Sequence, residues 1–261
     1  MHDSHDLFLL LFGGFFGAVV GSFLNVCIYR LPRHESVAWP GSHCPTCSHA
    51  IAWYDNIPIL SYVALGGRCR QCGVRIPLQY PTVEILNAFG YVSLLGFFGF
   101  TWSTAVYLGL YSALLVVAGT DLSHKIIPNA ITFPGIVLGL ISAGTILPLG
   151  LINGIIGLLV GGGILWLLAW ASPYLFGKEG MGGGDIKLLA MIGAFLGWKP
   201  AVMTIMVGSF LGSVVGVTLI ASKVIKREDY IPFGPFLVCG ALLSLFFGQS
   251  LLDWYESLLK G

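Results

Sequence analysis

Residues 7–29 read LFLLLFGGFFGAVVGSFLNVCIY and hold no charged side chain from Leu7 to Tyr29. A helix needs about 20 mostly apolar residues to cross a bilayer, so this stretch alone is long enough to span one. Its flank is acidic (Asp3, Asp6) rather than basic, and it ends in Cys27-Ile-Tyr-Arg30 with no small-x-small cleavage site. A secretory signal peptide has the opposite features, so the segment is expected to be a retained helix. The whole chain follows suit: of 261 residues, 56% are hydrophobic and 10% charged. Soluble domains carry roughly 25% charged residues, so the composition is that of a polytopic membrane protein. It also excludes a disordered tail or a nucleic-acid binder.

One stretch interrupts the apolar pattern. Residues 30–80 are polar, rich in proline, and contain four of the six cysteines. From Pro81 onward, Pro/Gly and polar breaks predict spans near 83–100, 103–120, 130–147, 151–170, 186–198, 200–222 and 231–250. With the first helix, that makes eight. The expected fold is an all-α polytopic membrane protein of about eight transmembrane helices. Its divisions are a first helix (1–29), a four-cysteine loop module (30–80) and a seven-helix membrane domain (81–261). The 186–198 span is short and needs neighbours to complete it.

Charge placement tests the count. If the 30–80 loop is cytoplasmic, that side holds Arg30, Arg33, Arg68, Arg70, Arg75, Lys125, Lys178, Lys187, Lys223, Lys226 and Arg227, and only Lys199 and Lys260 fall opposite. Eleven of thirteen bases on one side agrees with the positive-inside rule and places both termini outside. Glycines in small-residue spacing, Gly13-Gly14, Gly17 and Gly21 and then Gly208, Gly212 and Gly216, suit close helix packing in lipid, as do Gly161, Gly162 and Gly163.

Cys44-Pro-Thr-Cys47 and Cys69-Arg-Gln-Cys72 form two C-x-x-C turns separated by 21 residues. Four thiolates from two such turns suit a structural, tetrahedral zinc ion, in a module too small for a strong core of its own. Unbridged or redox-active thiols are the alternative. His43 and His49 flank the first turn as loop histidines that could substitute as ligands, while Cys27 and Cys239 lie in apolar spans and read as packed thiols.

Charged groups inside spans are costly, which singles out Glu84, Asp121 and Asp185. The topology puts all three near the inner face. A carboxylate at a helix C-terminus opposes the macrodipole, so stability does not select Asp121, although an incidental interfacial place would explain it. Asp185 follows Gly182-Gly183-Gly184, where it could simply cap a helix. Glu84 reads as a partner for a loop arginine or as a cap. Two carboxylates in one dry site would share a proton and activate water, as in aspartic proteases, and a glycine loop would let a substrate backbone approach.

Gly182-Gly-Gly-Asp185 resembles the Gly-x-Gly-Asp signature of presenilin-type intramembrane aspartyl proteases. The wider set of motifs is more specific: Gly21-Ser-Phe-Leu-Asn-Val-Cys-Ile-Tyr-Arg-Leu-Pro-Arg33, Asn56-Ile-Pro-Ile-Leu-Ser-Tyr62, Gly67-Arg-Cys-Arg-x-Cys72, Tyr80-Pro-x-x-Glu84, and Asp121 followed by Ile127-Pro-Asn129. Together they resemble the bacterial type IV prepilin peptidase family. The resemblance implies a bifunctional, multi-pass enzyme of the bacterial inner membrane that cleaves the basic leader from type IV prepilins or type II secretion pseudopilins at the cytoplasmic face. It then methylates the new N-terminal amine, usually of phenylalanine, with S-adenosylmethionine. By motif, Asp121 and Asp185 would be the catalytic pair and Cys44, Cys47, Cys69 and Cys72 the zinc ligands; the glycine argument makes Gly182, Gly183 and Gly184 the substrate-facing loop, and the charge count makes the zinc module cytoplasmic and the termini periplasmic. No Gly-x-Gly-x-x-Gly turn marks a cofactor site, and Glu84 is a loose candidate to bind the amine or the cofactor. Two rival expectations are a proton-coupled transporter using Asp121 and Asp185 as a relay, and a non-catalytic zinc scaffold.

Overall fold

The computed structural model describes residues 4–176, 182–226 and 231–260. Among these there is no β-strand, only two isolated antiparallel bridges. The chain runs α1 (Ser4–Arg30), a short α2 (Leu60–Ala64) inside the polar loop, then α3 (Gln79–Phe98), α4 (Trp102–His124), α5 (Asn129–Thr145) and α6 (Leu151–Phe176). It closes with α7 (Gly183–Leu196), α8 (Trp198–Ala221) and α9 (Gly234–Lys260). The fold is all-α and polytopic. Leu7–Arg33, Gln79–Phe98, Trp102–His124, Leu151–Tyr174 and Trp198–Ala221 are long and apolar enough to cross a membrane, and Asn129–Thr145 and Gly234–Gly248 are shorter apolar helices. Phe8, Phe12 and Phe15 on α1 and Leu159, Trp166 and Trp170 on α6 are exposed. Apolar surface of that extent suits lipid rather than water.

The chain divides into two compact units, Met1–Val116 and Val117–Gly261. The polar 30–80 segment therefore belongs to the same unit as α1 and α3. In lipid there is little hydrophobic drive to bring helices together, so small residues and polar contacts must do it. Unit 1 shows both. A Cβ at Gly17 would lie 2.9 Å from the Ala88 backbone, and one at Gly21 would lie 2.8 Å from the Glu84 Cα. Across this seam the Asn87 side-chain amide donates to the Gly17 carbonyl at 2.7 Å, and that of Asn25 donates to the Tyr80 carbonyl at 3.0 Å. The Tyr111 hydroxyl, from α4, donates to the Leu86 carbonyl at 2.7 Å.

Unit 2 is organised around α7. At 1.5 Å per residue its 14 residues span about 21 Å, short of the roughly 30 Å hydrocarbon core. The neighbours compensate: Leu188 to Phe195 are all buried, packed by α5, α6, α8 and α9. The closest approach is glycine on glycine, because a Cβ on either Gly157 or Gly193 would sit 2.1 Å from the other's carbonyl oxygen. Cys27 is buried as expected, whereas Cys239 lies exposed on α9, on the outer face of the helix rather than in the packing. Of the basic residues used to orient the chain, Lys178 and Arg227 lie outside the described residues.

Candidate active site and metal centre

Asp121 and Asp185 both lie in unit 2 and both are buried, with 3% and 5% of their surface exposed. Asp121 occupies the last turn of α4, three residues before its end at His124. Its carboxylate accepts the backbone N–H of Gly234, the first residue of α9, at 2.9 Å. A helix N-terminus presents unpaired N–H groups and a partial positive charge, so α9 offsets the unfavourable dipole that α4 imposes on Asp121. The contact requires glycine, since a Cβ at residue 234 would lie 2.6 Å from the Asp121 Oδ2. Gly234 was not among the residues singled out from the sequence. Gly234-Pro235, a helix-start pair after Phe233, was the available signal.

Asp185 sits in the first turn of α7, which packs against α9, the helix whose first residue Asp121 contacts. The capping expectation needs correction: the N-cap is Gly182, which has no side chain to cap with, and Asp185 lies three residues further on. Its carboxylate instead turns back towards the Gly182 backbone, the return half of a capping box. Gly183 and Gly184 are in the helix, not in a loop. Gly182 and Gly183 are exposed, and among the described residues nothing lies within 4 Å of where a Cβ of Gly183 would be. Gly184 differs, because a Cβ there would meet the Ile127 Cβ at 2.9 Å. Ile127-Pro128-Asn129 thus docks on the start of α7, and the Lys187 ammonium donates to the Asn129 side-chain oxygen at 2.9 Å. The His124 Nδ1, one turn beyond Asp121, is buried without a hydrogen-bond partner among the described residues.

In unit 1 the four cysteines come together. The Sγ atoms of Cys44, Cys47, Cys69 and Cys72 all lie within 4.8 Å of one another, and no histidine belongs to the group. All four are free thiols. The Cys44 and Cys72 sulfurs are 3.9 Å apart, too far for a disulfide but close to the roughly 3.8 Å edge of a tetrahedron built on ~2.3 Å zinc–sulfur bonds. The two turns are copies of one another, 25 positions apart. Cys44 N–H donates to the His49 carbonyl and Ser48 N–H to the Cys44 carbonyl, and Cys69 with Val74 and Gly73 repeats both bonds. Ile51 N–H reaches the Ser42 carbonyl as Ile76 N–H reaches that of Gly67, and Ser48 and Gly73 both have positive φ. The thiols do not behave alike: the Cys47 backbone N–H lowers Cys44 to about 6, whereas, against the Val74 backbone N–H, burial and the other three sulfurs push Cys72 up to about 11. The donor set fits a four-coordinate soft-metal site with no open position.

The segment between the turns is anchored twice. Asp55 accepts two hydrogen bonds from Arg70, both 2.7 Å, and that guanidinium holds its carboxyl below the usual range. Glu84, buried in α3, accepts the Ile59 backbone N–H at 2.7 Å. It neither pairs with an arginine nor caps α3, which starts five residues earlier. Ile59 itself has φ 63° and ψ −51° and lies at the centre of a turn closed by Leu60 N–H on the Pro58 carbonyl, a strained classic γ-turn that the Glu84 carboxylate holds in place.

The Bacterial Peptidase A24 N-terminal domain family matches residues 15–98, and the Type IV leader peptidase family matches residues 108–217. A prepilin leader peptidase/N-methyltransferase of Pseudomonas aeruginosa is 36% identical, over 97% of this chain and 95% of its own length. Proteins of the same name from Aeromonas salmonicida and Xanthomonas campestris are also 36% identical, over 93% and 92% of this chain. No solved structure matches.

Proposed function

Because this chain belongs to the type IV leader peptidase family, we propose that it is a prepilin leader peptidase and N-methyltransferase of the bacterial inner membrane. Its substrates are type IV prepilins or type II secretion pseudopilins, cut at the cytoplasmic face. The single observation that carries the peptidase half is the pair of buried carboxylates at helix ends of unit 2, Asp121 on the start of α9 and Asp185 in the first turn of α7.

Two carboxylates paired in a dry site share one proton. We assign the base to Asp121, whose charged form the Gly234 N–H favours, and the acid to Asp185. Asp121 removes a proton from water as the water oxygen attacks the scissile carbonyl carbon, and Asp185 protonates the carbonyl oxygen. The tetrahedral intermediate then collapses: the C–N bond breaks, the leaving nitrogen takes the proton held by Asp121, and Asp185 recovers its own. The products are a leader ending in a carboxyl group and a pilin with a free amine. Gly182 and Gly183, exposed beside Asp185, leave room for an extended substrate backbone. Gly184 contributes by seating Ile127.

Cys44, Cys47, Cys69 and Cys72 hold zinc as a structural ion, and the surrounding hydrogen bonds fix the ligands. The basic residues support an orientation with this module in the cytoplasm and the termini outside. S-adenosylmethionine supplies the methyl group for the second activity. A proton-relay transporter finds no support: its acids belong near the bilayer midplane, whereas Asp121 and Asp185 sit at helix ends.

The test is in vitro leader removal from a prepilin by Asp121→Asn and by Asp185→Asn. Each should lose roughly 10³-fold or more in rate, the scale expected for a member of a catalytic pair. Leader removal by either variant at a rate near wild type defeats the aspartyl mechanism.

A further inference from the structure

Between its two cysteine turns the loop module is not polar throughout: residues 56–67 read NIPILSYVALGG and hold no charge. Within this run the short α2 carries Leu60 and Val63, one turn apart on one helical face, with 67% and 71% of their surface exposed. The helix is fastened down elsewhere. Ser61 is buried, its hydroxyl donates to the Tyr54 carbonyl at 2.9 Å, and it accepts the Ile57 N–H at 3.0 Å. These bonds join α2 to the 3-10 turn Trp53–Asn56, where Trp53 is 80% exposed and its ring stands edge-on to that of Tyr54.

What covers this apolar surface follows from where α2 is tied. Ile59, the N-cap of α2, donates its N–H to Glu84 of α3 at 2.7 Å. The 20 residues of α3 span about 30 Å, the thickness of the hydrocarbon core, and Glu84 lies about 7.5 Å inside the start of that helix. A helical side chain leans back towards the N-terminus, so Ile59 meets α3 within its first turns. The beginning of α2 therefore stands beside a spanning helix, not beyond its end. A helix lying flat on a bilayer buries its apolar face roughly 5–10 Å deep, which is this level. Ile85 and Phe89 of α3 are exposed and apolar too, so the lipid-facing exterior of α3 begins at the same height.

The rest of the module suits the same boundary. Arg30, at the end of α1, donates to the Ser36 carbonyl at 2.9 Å and to the Gly41 carbonyl at 3.3 Å. The loop between them is thereby folded back to the end of a second spanning helix, and it carries Trp39, 79% exposed. Tryptophan and tyrosine collect at membrane–water boundaries, where ring and polar edge both find partners. Arg75 stands shortly before Gln79, the first residue of α3, and the exposed Arg68 faces it across an antiparallel bridge. Lipid phosphates at that height offset the repulsion between the two, while the segment's own acid, Asp55, is held by Arg70.

The geometry points to α2 and the turn before it as an interfacial anchor, with Trp53, Leu60 and Val63 inserted just below the headgroups of a phospholipid bilayer. The four-cysteine module is then not suspended in solvent above the membrane but moored to one leaflet. The bond between a buried carboxylate and a strained turn gains a use: through Ile59, Glu84 sets the depth of α2.

The experiment replaces Leu60 or Val63 by the photocrosslinker p-benzoylphenylalanine in the full-length, zinc-loaded protein, with zinc content and leader cleavage as folding controls. The protein is reconstituted in vesicles of phosphatidylethanolamine and phosphatidylglycerol and irradiated. Intact-mass spectrometry should show phospholipid adducts several-fold more abundant than for the same probe at Gln71, an exposed residue between the ligands of the second cysteine turn. Adducts no more abundant than at Gln71 overturn the anchor, and so do crosslinks to a second copy of the chain in their place. If a probe variant loses its zinc, tryptophan emission decides. The part of the emission that disappears on Trp53→Phe should be blue-shifted, and it should fall several-fold in vesicles of phospholipid brominated near the top of the acyl chains. Emission from Trp53 at the wavelength of a water-exposed indole, unchanged by the brominated lipid, overturns the proposal.

Discussion

In the four-cysteine module, Cys44 and Cys69 are held by backbone bonds to residues four and five positions along the chain. In unit 2, Asp121 meets its hydrogen-bond partner 113 residues away, and Asp185 comes from a third helix. The module is a local construction, repeated once and then joined through sulfur. The aspartate pair exists only after α4, α7 and α9 have packed. A local change in the module should therefore stay local, whereas a change anywhere along the seams of α7 should reach the carboxylates.

The largest expected effect tests whether the aspartates act as one unit. Combining Asp121→Asn with Asp185→Asn should cost no more than either change alone, because groups that act together are strongly non-additive. Rates measured for the two singles and the double would break this if the losses multiplied. Next comes the module. Cys72→Ser, or treatment of the wild type with a chelator, should reduce bound zinc from one ion towards none and open residues 34–78 to limited proteolysis, with the helical circular dichroism largely kept. Helix loss throughout would mean that the module is not local at all.

Gly234→Ala should lower leader cleavage by about 10–100-fold without changing zinc content, since the added methyl group displaces the N–H that Asp121 accepts. Gly183→Ala is a smaller and more pointed case. Its Cβ meets nothing among the described residues, so a rise in KM with unchanged stability reports the substrate. The smallest effect belongs to Asp55→Asn, in the pair whose other member, Arg70, is exposed. Arg70 lowers the Asp55 carboxyl, so the pair's contribution is present at neutral pH and disappears as pH falls through the acidic range below the ordinary aspartate value. Thermal melts of wild type and variant should differ slightly at pH 7 and converge near pH 3. A large difference at either pH would contradict a pair whose guanidinium is open to solvent.

The same contrast governs what could be read from the chain. Helix spans came from runs of apolar residues, and the cysteine site from spacing, because both signals are local. Asp121 and Asp185 stood out as acids in apolar surroundings, although neither declares its neighbour. Gly234 escaped notice because a backbone N–H carries no sequence signal and its partner is far away in the chain. The partner of Glu84 escaped for a similar reason: it is the Ile59 N–H, and an isoleucine with positive φ is not something its neighbours announce. The matching runs Cys44 to Ile51 and Cys69 to Ile76 were legible and became meaningful only when their hydrogen bonds coincided. The three glycines before Asp185 looked alike as letters, and packing against Ile127 distinguishes Gly184 from the other two.

The central claim is that leader cleavage belongs to Asp121 and Asp185, and that methyl transfer does not depend on them. The most direct test gives the Asp121→Asn protein two substrates, an intact prepilin and a pilin already lacking its leader, with labelled S-adenosylmethionine. The account predicts that cleavage of the first falls roughly 10³-fold or more while methylation of the second continues near the wild-type rate. Cleavage that survives the substitution, or methylation that disappears with it in a zinc-loaded, folded protein, would contradict it.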